Sequence, residues 1–160
     1  MRLLAAVLLL LTVASTPALS QSEATAKSVR EQFADINRKI LAMAKDFPED
    51  RYDFKLKAEM RTFGALIVHI AGGNVYAAKA GKGEKANWDE IDPKDYKTKA
   101  QIVALMEKVV ADSEATLKSL PDASFAKTIE PWISVTEHYG LLVAYYRANG
   151  LVPPESRPKP

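Results

Sequence analysis

EHYGLLVAYYRANGLVPP, residues 137–154, places one of the two histidines of the chain inside a run of Leu, Val, Ala and Tyr. Val135, Leu142 and Tyr145 stand three, four and seven residues from His138, a spacing that gathers side chains on one face of an α-helix. Asn149-Gly150 is a helix-ending signal, and Pro153-Pro154 forbids continuation. The imidazole therefore points toward the core of a helical domain, or toward a cleft opening into it. Ser134 lies one turn earlier on nearly the same face.

Three more stretches have helical periodicity. From about Ser22 to Asp46, Val29, Phe33, Ile36, Ile40 and Met43 make one apolar stripe, Ser28 with Glu31 reads as a capping box, and Pro48 stops the run. From about Ala58 to Ala80 the chain is apolar around most of the circumference, which predicts a central helix. Met60, Phe63, Ile67, Ile70 and Asn74 share one side of it, while Ala65, Leu66, His69 and Gly73 share the next. A loop through GEKANWDEIDPKDYK follows, in which Pro93 forbids a helix interior. Thr98 with Gln101 then caps a third helix that Pro121 closes, and Pro131 suits the first turn of the fourth. No stretch reads as a strand. The expectation is an all-α four-helix bundle.

The ends frame that domain. Residues 1–20, MRLLAAVLLLLTVASTPALS, have the three parts of a secretory signal: a basic start at Arg2, an apolar run from Leu3 to Val13, and small residues Ala18 and Ser20 before a cut at Gln21. The alternative is an uncleaved anchor, but the run falls short of the about 20 apolar residues that a span needs. Cleavage predicts a periplasmic or secreted protein, with the bundle over residues 21–154 and a Pro-rich tail over 155–160. Removing the leader takes one of 22 Lys+Arg and none of 20 Asp+Glu, leaving 21 − 20 = +1. So small a charge of mixed sign leaves no nucleic-acid footprint. With no Cys there is no disulfide, thiolate nucleophile, Cys-ligated metal, c-type haem attachment or lipidated cysteine.

His69, with Ala65, Leu66, Gly72 and Gly73 one turn away, has small neighbours that leave room for another group. Two imidazoles in apolar helices are a plausible metal pair. Two buried histidines satisfied by hydrogen bonds, or a haem held between them, are the alternatives. Tyr139, Tyr145 and Tyr146 read as packing groups with a polar tip, and Arg147 complements the helix dipole. Trp88 and Tyr96 in the long loop fit either a pocket mouth or ordinary packing.

Residues 137–154 closely resemble the terminal helix of DinB-like proteins. RYDFKLKAEMRTFGALIVHIAGGNVYAA, residues 51–78, is similar to the second helix of that family with its His-Ile-Ala. The resemblance extends from about Gln32 to Pro154. It implies a four-helix bundle with a divalent metal, commonly nickel or zinc, on three histidines. One of these sits in helix two, and two lie four residues apart in helix four. Some relatives are thiol-dependent transferases or isomerases, and many have no known activity. His69 matches the first ligand and His138 the last, whereas Ser134 stands at the middle position.

Serine is a poor ligand for either ion, so the resemblance leaves a site that holds nickel or zinc weakly or not at all. Glu137 is about 100° round the helix from His138 and reaches only the flank, while Glu130 is about 12 Å away along the axis. Two functions stay open. One is metal-dependent chemistry of the hydrolase or thiol-transferase kind; the other is a non-catalytic binding or structural module that has lost its metal. No residue is singled out as catalytic. A small-molecule ligand and a homodimer are compatible with the chain; nucleic acid and a stable membrane anchor are not expected.

Overall fold

The computed structural model describes residues 21–87, 91–125, 132 and 135–159. Four α-helices and no strand occur among the described residues: α1 (Gln21–Asp46), α2 (Phe63–Gly81), α3 (Lys99–Ser119) and α4 (Val135–Ala148). Short 3-10 turns lie at Glu49–Arg51, Pro93–Asp95, Asp122–Ser124 and Pro154–Ser156.

Each boundary has a local cause. Thr62 caps α2 by accepting from the Ala65 amide. Thr98 and Gln101 form the reciprocal capping box expected at the start of α3. Gly83 and Gly150 hold positive φ of 75° and 69°, where a β-carbon would be strained. Beyond each, a paired amide closure follows: Glu84 N–H to Lys79 O and Gly83 N–H to Ala80 O after α2, Leu151 N–H to Tyr146 O and Gly150 N–H to Arg147 O after α4.

Two expectations are corrected. The second helix begins at Phe63 and not at Ala58, because the amides of Phe63 and Gly64 are already spent on the carbonyls of Phe54 and Tyr52 in the preceding connector. Met60 therefore lies outside the helix, half-buried. Ser28 and Glu31 are exposed inside α1 and do not start it, since the helix runs from Gln21. Pro131, the expected start of the fourth helix, and the 1–20 leader lie outside the described residues.

Helix α2 packs most heavily on α3 and also meets α4, while α1 packs on α3 and α4. The stripe on α1 is buried at Val29, Phe33, Ile40 and Met43, with Ile36 half-buried. An aromatic nest lies between α1, α2 and α4: Phe47 stacks on Phe63 with centroids 3.8 Å apart, and Tyr52, Tyr145 and Tyr146 close around the pair. Each phenol keeps its polar tip satisfied. Tyr146 donates to Met43 O at 2.8 Å, Tyr145 to Arg61 O and Tyr52 to Ala44 O. Burial pushes the Tyr52 and Tyr146 phenols above the ordinary range.

A polar bridge crosses the core. Asn74 donates to Asn37 Oδ1 at 2.8 Å, Asn37 donates to Phe33 O, and Ser113 donates to Asn74 O. The tail is pinned to α1: Arg157 donates to Asp46 at 2.9 Å, Arg38 pairs with Glu155 at 2.7 Å, and Pro153 is buried. No helix among the described residues is long and apolar enough to cross a membrane.

Candidate metal centre

His69 is the seventh residue of α2, and His138 is the fourth described residue of α4. The contact between these two helices brings the imidazoles together, with ring centroids 5.1 Å apart and planes at 61°. Both side chains are half-buried; Leu66 and Ile70, near His69 along α2, and Leu142, one turn after His138 on α4, are all buried. Gly72 and Gly73, a turn beyond His69, are buried.

Two features test whether these residues fit a divalent ion. The first is distance. Two imidazole nitrogens sharing a tetrahedral ion at about 2.0–2.1 Å put their ring centroids about 5 Å apart. The observed 5.1 Å meets that requirement. The second is an orphaned atom: His138 Nδ1 is buried and has no hydrogen-bond partner. A buried ring nitrogen without a partner is costly, and a ligand would satisfy it. The donor set is borderline, as suits nickel or zinc, but it is short. No group of three or more His, Cys, Asp or Glu side chains able to share one ion occurs among the described residues.

The other predicted residues divide. Glu137 is exposed, in keeping with its place on the flank of the helix. Ser134, at the middle ligand position, and Glu130 lie outside the described residues, as does Trp88. Arg147 is exposed in the last turn of α4, and Tyr145 and Tyr146 are core phenols as expected from their amphipathic chemistry. Tyr139 is half-buried, with the Lys39 ammonium 6.0 Å from its ring centroid.

Sequence reasoning missed a cavity of about 380 Å³ where the connector after α1 and the loop before α3 face the start of α2. The signal available in the sequence was Lys94 and Lys97 in the Pro-containing loop just before the Thr98 cap, with acidic Glu49 and Asp53 in the connector after the first helix.

Four helices with a histidine pair facing across two of them define an all-α bundle with a candidate metal centre. Residues 32–147 match the family model of the DinB superfamily. The chain belongs to that superfamily. Among curated proteins, none matches the chain.

Proposed function

We propose that this is an exported DinB-superfamily bundle whose His69 and His138 hold a divalent ion, nickel or zinc, in a site reduced from three histidines to two. The observation that carries this reading is the 5.1 Å approach of the two imidazoles, reinforced by the unpartnered Nδ1 of His138. With Ser134 in place of the third imidazole, more of the coordination sphere falls to water or substrate, which lowers affinity and leaves positions open. A divalent ion there would supply Lewis-acid chemistry, polarising a substrate oxygen or lowering the pKa of a water. The protein contributes the two ring nitrogens, with buried Leu66, Ile70 and Leu142 beside them along α2 and α4. Export is supported by the basic, apolar and small-residue parts of residues 1–20.

One observation favours a second reading, a binding or structural module without catalysis: the absence of a third ligating side chain among the described residues. The two readings separate by metal analysis of protein purified without an affinity tag. Stoichiometric nickel or zinc that is lost in His69→Ala supports the first reading. Metal-free protein that takes up neither ion on titration supports the second.

A further inference from the structure

We propose that the cavity between the loops forms a second site, separate from the histidine pair, that binds a small zwitterion carrying an amine and a carboxylate on a short apolar body. At about 380 Å³ it falls in the range of small-molecule sites. Its walls differ in sign. Glu49 and Asp53 come from the connector after α1, while Lys94 and Lys97 come from the loop before α3. Neither of these lysines is drawn into an ion pair with a described residue, so both ammoniums are available to a ligand.

Two hydroxyls add direction. Thr62 and Thr98 line the cavity, and each accepts a backbone amide at the start of its own helix, leaving its hydroxyl proton to donate. The lysines of the loop before α3, together with the hydroxyl donors, suit a carboxylate, and the two carboxylates of the connector suit an ammonium. The faces between are apolar. Tyr52 and Ile102 line the cavity and are buried; Lys99 lines it as well, with its ammonium engaged by Phe47 O at 2.8 Å. A dianion would meet the Glu49 and Asp53 carboxylates, and a dication the lysines, so the mixed lining selects against both.

The cavity also reaches Ala65, one helical turn before His69, but neither histidine lines it. Binding here is therefore independent of any metal at the histidines.

The test is a titration of isotopically labelled full-length mature protein, followed by backbone amide shifts. The probes are the ω-amino acid series from glycine to 6-aminohexanoate, with hexanoate and hexylamine as single-charge controls. At least one zwitterion should give saturable shifts at Gly64, Lys99 and Ala100. Losing one charge-assisted anchor should weaken binding about tenfold or more, both for the controls and for a double Lys94→Ala/Lys97→Ala or Glu49→Gln/Asp53→Asn variant. Glu49 and Lys94 sit in short 3-10 turns and Asp53 and Lys97 in the adjoining loops, and a thermal melt checks that each variant remains folded. His69→Ala should bind the zwitterion as the parent does, which separates this site from the metal reading. The proposal is overturned if every zwitterion fails to bind, if hexanoate or hexylamine binds as tightly as the best zwitterion, or if the shifts fall elsewhere.

Discussion

Asn74 on α2 donates a hydrogen bond of 2.8 Å to Asn37 on α1, and neither side chain has any solvent exposure. Breaking such a pair from one side leaves the other amide buried and unsatisfied, which costs about 1–3 kcal/mol. Asn37→Leu and Asn74→Leu should each destabilise by that amount. The double variant should lose less than the sum, because apolar groups of similar shape then face each other. Chemical denaturation of the three variants measures the coupling, and strict additivity would show that the two amides do not act as a pair.

Phe33 is buried beside Trp132, edge to face with centroids 5.2 Å apart. Phe33→Ala should cost about 3–5 kcal/mol, as for other large truncations in a packed core. A melting temperature no lower than that of an exposed Lys27→Ala variant would place Phe33 outside the core.

The Arg157 guanidinium holds the Asp46 carboxyl below the usual carboxylate range, with a smaller contribution from the Tyr146 phenol. A carboxylate whose folded value is depressed stabilises the fold above its unfolded value of about 4, and that contribution drains away as pH falls through the lower folded value. Asp46→Asn should therefore melt below the parent at neutral pH. The gap should stay constant down to about pH 5 and close as pH approaches 2. Thermal melts across that range check it. A gap that persists unchanged at pH 2 would mean that ionisation of Asp46 is not what fastens the tail.

Export predicts a mature protein that begins at Gln21. N-terminal sequencing of material from the cell envelope should find that residue first. Full-length chain beginning at Met1 and confined to the cytoplasm would remove the localisation from the account.

Much of the fold was legible because the signals were local. The α1 stripe, the Thr98–Gln101 box and Gly150 each depend on residues within one or two turns, and each appears where its spacing places it. What failed was also instructive. Ser28-x-x-Glu31 has the letters of a capping box but sits inside α1, since a helix already under way offers no free amides to cap. The start of α2 was misplaced because long-range bonds, Phe63 N–H to Phe54 O and Gly64 N–H to Tyr52 O, set it, and no local pattern encodes them. Asn37 gave no warning of its burial, because its partner is 37 residues away on another helix. The meeting of His69 and His138 likewise depends on how α2 packs against α4, which spacing within either helix leaves open.

The most direct test of the central claim is calorimetric titration of nickel and zinc into untagged mature protein near neutral pH, comparing the parent with His69→Ala, Ser134→His and Ser134→His/His69→Ala. The parent should bind one ion weakly, and His69→Ala should lose it. Ser134→His restores the four-residue spacing of two histidines ahead of residue 138 and should raise affinity by orders of magnitude. The gain should fade as pH drops through about 6.5, because protons compete for the ring nitrogens. The double variant should fall back toward the parent. Equal, weak binding by all four proteins would contradict the account, since these side chains would then never converge on one ion.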